Sequence, residues 1–516
     1  MSKTNFKNEP FLDYSDKKNL SKIKKAIEKV ESQFGKEYPL VINGERIFTE
    51  SKFTSINPSN KDEVVGTFQK ATKDLANKAI LDANSVFESW KNIDPKKRAK
   101  ILFKAANIVR RRRFEINAWM ISEVGKNYVE ADADTAEAID FLEFYAKEML
   151  RYARKQPLTK VKGEDNELVY LPLGVGVVIP PWNFPFAILV GMTSAAIVTG
   201  NTVVLKPSSD SPMMGWLFHE IMEEAGLPKG VFNFVPGSGG EVGDTLVAHP
   251  KTRFIAFTGS KEVGLHINQL AATHQPGQIW IKRVVAEMGG KDSIIVDNET
   301  DVKKAVDGVV ASAFGFQGQK CSACSRAIVD EKIYDKFVTL LKEKVDTLKV
   351  GVAKDNLPMG PVVSKSAYES IWNYIEIGKT EGKLLNGGNK IDMNGFYLEP
   401  TVFIDIDPMA RISQEEIFGP VLAVIKARNF DHALEIANNT EFGLTGALYS
   451  NNKKKIKRAQ HEFHVGNLYF NRKCTGALVG GHPFGGFNMS GTDSKAGGRD
   501  YLLLFLQAKL WSEKIS

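Results

Sequence analysis

Two of the chain's three cysteines, Cys321 and Cys324, form a C-x-x-C inside the segment FGFQGQKCSACSR. This spacing is compatible with a redox pair, with half of a zinc site, or with one nucleophilic thiolate beside an unrelated cysteine. A zinc site needs about four ligands, and neither Cys474 nor a His-rich cluster lies near the pair in the sequence. A thioredoxin-like pair opens a helix after the first strand of a small domain, whereas this pair lies deep in a long chain, just before a strand. We therefore predict no metal site, and the spacing leaves two interpretations: two buried inert cysteines, or one nucleophile with a bystander.

Other residues that can do chemistry lie in five short segments. They are Glu287 in AEMGGKD, Asn183 in IPPWNFPF, Lys206 in VVLKPSSDSP, Gly259 and Ser260 in FTGSKEVG, and Glu416 with Phe418 in EEIFGPV. The FTGSKEVG turn precedes a predicted helix, whose free N–H groups and dipole favour a pyrophosphate. A further glycine-rich segment, GSGGEVG at 237–243, lacks the spacing of a dinucleotide fingerprint and is interpreted as a tight turn. Each segment alone is a weak signal, but the set in this order is specific.

The elements that position these residues are predicted from hydrophobic periodicity. Apolar residues at helical spacing predict helical segments over 16–35, 72–90 and 95–155. From Val169 short β-rich runs alternate with helices, and a second alternation starts near Ser293. Strands that alternate with helices form parallel sheets, which bind ligands at the carboxyl ends of their strands. The sequence therefore predicts an α/β protein with two parallel-sheet domains.

Composition limits the class of protein. The 516 residues are 43% apolar and 25% charged, with a net charge of +7. The basic runs lie in predicted helices without interleaved aromatic residues, which argues against nucleic-acid binding. Three cysteines do not make a disulfide framework, the N-terminus lacks the apolar core of a signal peptide, and the apolar run at 186–200 is too short to span a bilayer. We therefore expect a soluble, cytoplasmic protein.

From about residue 38 to its end, the chain resembles the aldehyde dehydrogenase superfamily. The resemblance is carried by the segments above and by the spacing between Glu287 and Cys321, which matches the family's spacing between general base and nucleophile. It implies that the Cys321 thiolate attacks an aldehyde, and that the Asn183 side chain and the Cys321 backbone N–H stabilise the oxyanion. Glu287 would activate the water that hydrolyses the thioester. A non-catalytic family member is the alternative, and the presence of all three residues argues against it.

The same resemblance implies an aldehyde dehydrogenase-like fold, with two Rossmann-like parallel-sheet domains plus a small oligomerisation β-flap. The expected boundaries are an N-terminal helical extension at 1–37, an NAD-binding domain at 38–153 and 173–288, a catalytic domain at 289–490, and oligomerisation segments at 154–172 and 491–516. The segment from Lys155 to Gly174 resembles the family's protruding hairpin, which pairs with another subunit. The apolar run YLLLFLQAKLW near the C-terminus is easiest to explain if another subunit covers it. We therefore expect a homodimer or a higher homo-oligomer.

The implied cofactor is NAD. In the family's arrangement Gly259 and Ser260 hold the pyrophosphate, Lys206 the adenine-side ribose and Glu416 the nicotinamide ribose, while Phe418 packs against the nicotinamide end. One position departs from the common pattern, because Ser209 stands where many members carry a glutamate that grips the adenine ribose. A carboxylate would repel a 2′-phosphate and serine would not. We therefore predict NAD as the main cofactor, with some tolerance for NADP.

Within the superfamily, QKCSACSR and RKCTGALVGGHPFGG resemble the 1-pyrroline-5-carboxylate dehydrogenases. These enzymes oxidise L-glutamate-γ-semialdehyde to L-glutamate in proline degradation. Their substrate carboxylate is held by the serine after the nucleophile and by two backbone N–H groups, here Ser322, Gly476 and Ala477. Phe184 and Phe484 would sandwich the aliphatic stem.

Simpler explanations of these substrate residues stay open. The two aromatic rings could be plain core packing, and the serine could make only a local backbone hydrogen bond. Another semialdehyde or an aliphatic aldehyde is then the alternative substrate. The chain has no room for the flavin-dependent barrel that some bacteria fuse to this domain, so no flavin is implied.

Overall fold

The computed structural model describes residues 6–515. Residues 1–5, where the predicted N-terminal extension starts, and Ser516, where the last predicted oligomerisation segment ends, lie outside the described residues. In the described part of the chain, no helix is both long and apolar enough to cross a membrane.

The first part of the chain is mainly helical. Its elements are α1 (Lys17–Glu31), β1 (Glu37–Tyr38), β2 (Leu40–Ile42), β3 (Glu45–Ile47), β4 (Lys52–Asn57), β5 (Asn60–Gln69), α2 (Lys73–Lys91), α3 (Pro95–Val124) and α4 (Tyr128–Tyr152). The helical segments predicted at 16–35 and 72–90 are confirmed, whereas the segment at 95–155 consists of two helices. They are separated at Gly125, whose φ is 71° and where a Cβ would lie 2.8 Å from Pro361. Only glycine fits there.

The middle of the chain builds a seven-stranded sheet. Its elements are β6 (Glu164–Pro172), β7 (Val175–Ile179), α5 (Ala187–Val198), β8 (Thr202–Leu205), α6 (Pro212–Glu224), β9 (Phe232–Phe234), α7 (Asp244–Ala248), β10 (Thr252–Thr258), α8 (Lys261–Ala272) and β11 (Arg283–Glu287). The order is β11-β10-β7-β8-β9-β2-β3, parallel from β11 to β9. Predicted site residues lie at the carboxyl ends of four of these strands: Asn183 after β7, Lys206 after β8, Gly259 after β10 and Glu287 at the end of β11.

A second seven-stranded sheet follows. Its region contains β12 (Ser293–Val296), α9 (Val302–Phe314), β13 (Arg326–Asp330), α10 (Tyr334–Val345), α11 (Lys365–Glu381), β14 (Lys383–Asn386), β15 (Thr401–Ile404), α12 (Arg411–Gln414), β16 (Val421–Ala427), α13 (Phe430–Asn438), β17 (Phe442–Gly443), β18 (Thr445–Tyr449), α14 (Lys453–Glu462), β19 (Asn467–Phe470) and β20 (Phe487–Asn488). The order is β14-β15-β16-β13-β12-β18-β19, parallel except at β14. At the start of β13 the buried Arg326 donates to the carbonyls of Lys291, Ile436 and Ala437 at 3.0, 3.1 and 3.1 Å. A buried guanidinium requires such partners, and they fix the segment that follows Cys321.

The C-terminal apolar run is divided between two structures. Tyr501–Phe505 is a 3₁₀ turn whose two aromatic rings are buried and lie 5.4 Å apart. Strand β21 (Leu506–Lys514) then pairs with β6 in a two-stranded antiparallel ribbon. On this ribbon Leu510 and Trp511 are 58% and 44% exposed. The apolar run is therefore half turn and half strand, and its aromatic pair packs into the core of this chain.

The residues before α1 reach across to the far end of the chain. Asn8 Nδ2 donates to Asp140 on α4 at 2.7 Å and to the Val479 carbonyl at 3.0 Å. The Glu9 N–H donates to the other Asp140 oxygen at 2.7 Å. A buried carboxylate needs such donors; burial raises the pKa of Asp140 to about 6 even though these two donors lower it. The N-terminal segment thereby ties α4 to residues 473–480, which we call the anchor loop.

Candidate active site

Cys321 lies on a loop at 319–325, the nucleophile loop, that follows a strained turn. After α9, the 3₁₀ turn Gly315–Gly318 holds Phe316 at φ 51° and Gln317 at φ 57°. These left-handed conformations are unfavourable for bulky residues and persist only where the surroundings impose them. The Gln317 side chain does so by donating to the Pro361 carbonyl at 2.7 Å. The turn therefore fixes the position of the nucleophile loop that carries Cys321.

The three cysteines have different environments. Cys321 is partly exposed and lines two cavities, of about 120 and about 830 Å³. Cys324 and Cys474 are buried in the core of the second sheet, where the Cys474 thiol donates to the Ser322 carbonyl at 3.3 Å. Of the two cysteines in the C-x-x-C, only Cys321 is placed to meet a small molecule.

The smaller cavity contains all five residues predicted to bind substrate: Phe184, Ser322, Gly476, Ala477 and Phe484. Glu287 and Cys321 also line it. The anchor loop turns at Gly476, whose φ is 80°, and it lines the cavity together with Ser322. The structure thus brings together residues that are far apart in the sequence.

Glu287 is buried against the C-terminal part of the chain. The Ser494 hydroxyl donates to its Oε1, and the Gly486 N–H lies close enough to lower the pKa of the carboxyl. Burial raises the pKa of Glu287 to about 8, against the lowering effect of these two groups. A carboxylate with a pKa near neutrality is suited to accept a proton from water.

The predicted oxyanion donor is close to the nucleophile loop. Asn183 is buried, and its Nδ2 donates to the Gln319 carbonyl at 3.1 Å. The Cys321 thiol lies near three carboxyl groups. Burial raises its pKa, and the carboxylates of Asp292, Glu416 and Glu287 raise it further. A positive charge bound beside Cys321 would therefore favour its thiolate.

The larger cavity is lined by all six residues predicted to bind the cofactor: Lys206, Ser209, Gly259, Ser260, Glu416 and Phe418. Ser260 is the N-cap of α8, with its hydroxyl accepting from the Val263 N–H. Lys206 Nζ donates to the carbonyls of Pro207 and Gly237 at 3.2 Å each, and burial lowers its pKa to about 8. The turn predicted from GSGGEVG is a π-helical turn at Gly239–Gly243 beside this lysine.

Glu416 and Phe418 form the end of the larger cavity nearest to Cys321. Glu416 accepts from the Gly290 N–H at 3.0 Å, and burial raises its pKa to about 7. Phe418 has φ 55° and its ring meets the Trp182 ring edge-on at 5.4 Å. A helix N-terminus, an amine and a carboxylate along one groove are the donors and acceptors that a dinucleotide needs.

Several polar residues of the smaller cavity were not predicted from the sequence, and Glu137 is the carboxylate among them. Glu137, Phe141 and Tyr145 share one face of α4 at i, i+4 and i+8, and all three line the cavity. Burial, with Asp134 next, raises the pKa of Glu137 to about 8. The available signal was a carboxylate one and two helical turns before two aromatic residues on the same face of α4.

The Phe184 ring is positioned by a buried ion pair. Lys126 and Asp134 are both fully buried, with Nζ 2.7 Å from the carboxylate. The same Nζ lies 4.3 Å from the centre of the Phe184 ring and 4.8 Å from that of Phe316. A cation over a ring face is attracted to it, so this lysine connects the substrate cavity with the nucleophile loop's turn.

Residues at the strand ends of a parallel sheet converge on one cysteine between two cavities, an arrangement suited to covalent chemistry on a small molecule beside a bound dinucleotide. The chain matches the aldehyde dehydrogenase family over residues 47–511, and it belongs to that family. The 1-pyrroline-5-carboxylate dehydrogenase of Geobacillus thermodenitrificans is 59% identical over 509 residues, covering 98% of this chain and 99% of the relative. The 1-pyrroline-5-carboxylate dehydrogenase 2 of Bacillus subtilis is 57% identical, with 99% of each chain covered. A 1-pyrroline-5-carboxylate dehydrogenase from Thermus, solved with bound NAD, has a TM-score of 0.98 at 49% identity, with 100% of both chains covered.

Proposed function

We propose that this protein oxidises L-glutamate-γ-semialdehyde to L-glutamate with NAD, as the second step of proline degradation. The observation that carries this proposal is the position of Cys321, which lines both the smaller cavity with the predicted substrate residues and the larger groove with the predicted cofactor residues. The names of the relatives agree with this activity.

The substrate cavity offers a partner for each end of an amino-acid semialdehyde. The α-carboxylate fits the Ser322 hydroxyl and the consecutive N–H groups of Gly476 and Ala477, which form a small anion nest. The α-ammonium fits the Glu137 carboxylate across the same cavity. The bound cation would in turn favour the ionised form of Glu137.

The first chemical step forms a bond between the Cys321 sulfur and the aldehyde carbon. The carbonyl electron pair moves to oxygen, and the Asn183 amide and the Cys321 N–H stabilise the resulting oxyanion. The amide that now donates to the Gln319 carbonyl must turn toward that oxygen. A side-chain rotation of this kind needs no movement of the sheet.

The second step removes the hydride of the former aldehyde carbon. When bound, NAD supplies the acceptor for this hydride. The residues suited to hold it are those of the larger groove, with Ser260 and the α8 N-terminus at the phosphates, Lys206 at one ribose and Glu416 at the other. The oxyanion electrons re-form the carbonyl and leave a thioester on Cys321.

The third step hydrolyses the thioester. Glu287 takes a proton from water, the hydroxide oxygen bonds to the carbonyl carbon, and the C–S bond breaks to return the Cys321 thiolate. Glutamate then leaves with its new carboxylate. The base must be ionised for this step, so the pKa of Glu287 sets its pH dependence.

Three further properties belong to the proposal. Ser209 at the adenine end leaves room for a 2′-phosphate, so NADP should be used, though less well than NAD. The ribbon of β6 and β21 presents exposed apolar side chains that a second copy would cover, so we infer at least a homodimer. We also infer a cytoplasmic location.

The test compares NADH formation with three aldehydes. L-Glutamate-γ-semialdehyde has both charged groups, succinate semialdehyde has only the carboxylate, and propanal has neither. A falling kcat/KM in this order, abolished by Cys321→Ala, is the expected result. Better turnover of propanal, still dependent on Cys321, would refute the substrate. Undiminished turnover in the variant would refute the mechanism.

A further inference from the structure

The carboxylate of Glu287 has an enclosed resting place. The Ser494 hydroxyl donates to Oε1, and Oε2 makes no hydrogen bond within residues 6–515. Two glycines leave space for the group, since a Cβ at Gly485 would lie 2.9 Å from Oε1 and one at Gly491 would lie 3.2 Å from Oε2. The Ser494 hydroxyl therefore determines which carboxylate oxygen of Glu287 accepts a hydrogen bond.

Ser494 is held in place by the backbone around it. The Met288 N–H donates to the Ser490 carbonyl at 2.7 Å, which ties the segment to the end of β11. Lys495 Nζ donates to the carbonyls of Gly466 and Gly485 at 2.7 Å each. Because the residues on both sides are fixed, the hydroxyl has little freedom and its hydrogen bond loses little entropy.

Several titratable groups face Glu287 from the surrounding elements. They are Lys495 and Asp493 of the same segment, Cys321 of the nucleophile loop, Glu137 of α4, His482 beyond the anchor loop and Tyr501 of the 3₁₀ turn. Lys495 is the cation among them that lowers the pKa of Glu287, and its own amine is occupied by backbone carbonyls. Ser494 therefore supplies the side-chain hydrogen bond that favours the ionised carboxylate.

We propose that Ser494 is a positioning residue for the general base: its hydroxyl holds Oε1 of Glu287, and the buried Oε2, which makes no hydrogen bond in the described residues, is the oxygen left to accept from the hydrolytic water. The base role of Glu287 is part of the proposed function, and this proposal rests on it. Ser494 acts through Glu287 and touches neither substrate nor cofactor.

The proposal predicts that losing the Ser494 hydroxyl affects thioester hydrolysis but not the earlier steps of the reaction. A hydrogen bond to the ionised form lowers a carboxyl pKa, so removing the hydroxyl raises the pKa of Glu287 and frees its side chain to rotate. Thioester hydrolysis becomes slower near neutral pH, while sulfur attack and hydride removal are unaffected. A general loss of packing would slow both halves.

The test uses Ser494→Ala, Ser494→Thr and the matched control Ser490→Ala. Ser490 is equally buried in the same segment, but its hydroxyl accepts from the Gly443 N–H at 3.0 Å and does not contact Glu287. Rapid mixing measures the NADH burst, and steady-state turnover is followed against pH. For Ser494→Ala we expect an unchanged burst rate, steady-state turnover reduced about tenfold at neutral pH, and a profile shifted about one pH unit to alkaline values. Ser494→Thr should restore the profile.

A second measurement needs no substrate. Infrared difference titration, with Glu287→Gln as the reference, reports the pKa of the Glu287 carboxyl directly. Ser494→Ala should raise it and Ser490→Ala should not, even if both lower the melting temperature. An unmoved carboxyl pKa, or an equal effect of both alanine variants on burst and turnover, would overturn the proposal. A shifted pKa in a protein that oxidises none of the aldehydes would instead refute the proposed function alone.

Discussion

Gly289 lies directly against the Glu416 carboxylate in the larger cavity, and the distances between them predict the effect of a substitution at this glycine. A Cβ on Gly289 would lie 2.0 Å from Oε2 and 2.4 Å from Cδ of Glu416, whereas real Cβ contacts essentially never fall under 3.0 Å. Gly289→Ala must therefore push the Glu416 carboxylate away by about 1 Å. This movement stretches its 3.0 Å hydrogen bond from the Gly290 N–H beyond useful range.

The displaced carboxylate also loses the hydrogen bond that Glu416 is proposed to make to the nicotinamide ribose. A hydrogen bond to a charged group is worth about 1.5–3 kcal/mol, so the affinity for NAD should fall by roughly 10- to 100-fold. A displacement of about 1 Å in a positioning group can also lower kcat by a comparable factor. NADH titration by fluorescence measures the affinity, and initial rates at saturating aldehyde measure KM for NAD and kcat.

Two comparisons separate this effect from general damage. Gly240→Ala, in the nearby turn, adds a methyl group with nothing within 4 Å and should leave both constants unchanged. In a Glu416→Ala background the clash disappears, so Gly289→Ala should then have almost no further effect. Additive losses in the double variant, or an unchanged affinity in a folded Gly289→Ala protein, would refute the reasoning.

Three other outcomes are expected. Glu137→Gln should raise KM for L-glutamate-γ-semialdehyde about tenfold by removing the partner of the ammonium, with kcat/KM for propanal unchanged. Where hydrolysis limits the rate, turnover should rise as the pH passes through about 8, because burial raises the pKa of Glu287 and only its ionised form is a base. Lys126→Met should lower the free energy of unfolding by about 3–5 kcal/mol, since it leaves Asp134 buried without its cation; urea denaturation measures this.

A different result would contradict each of these three predictions. An equal change in KM for both aldehydes would place Glu137 outside the substrate site. A pH profile that Glu287→Gln leaves unaltered would assign the limiting proton transfer to another group. For the ion pair the control is Lys78→Met, whose partner Asp82 lies on the surface. That exposed pair is worth at most about 1 kcal/mol, so a similar loss in both variants would contradict the argument from burial.

The sequence predicted the parts of the site that are made by single short segments. In a parallel sheet the residue after a strand lies at the ligand-binding edge, so Asn183, Lys206 and Gly259 could be placed from the strand pattern alone. The motif resemblance supplied the partners of Cys321. By contrast, the three-stranded sheet of β1, β5 and β4 was not predicted, because its strands are partly exposed and lack a continuous apolar run.

Glu137 and Ser494 were missed for a common physical reason. Each lies on a segment whose local pattern is explained by packing: an aromatic helix face for the first, a glycine-rich loop for the second. Ser494 reaches Glu287 across 207 positions of sequence, and only the folded chain brings them together. Residues that support a catalytic group share no spacing with it, so periodicity and motif carry no information about them. Comparing Ser494→Ala with the matched control Ser490→Ala therefore tests the tertiary arrangement of the site. This test does not depend on the motifs that suggested the function.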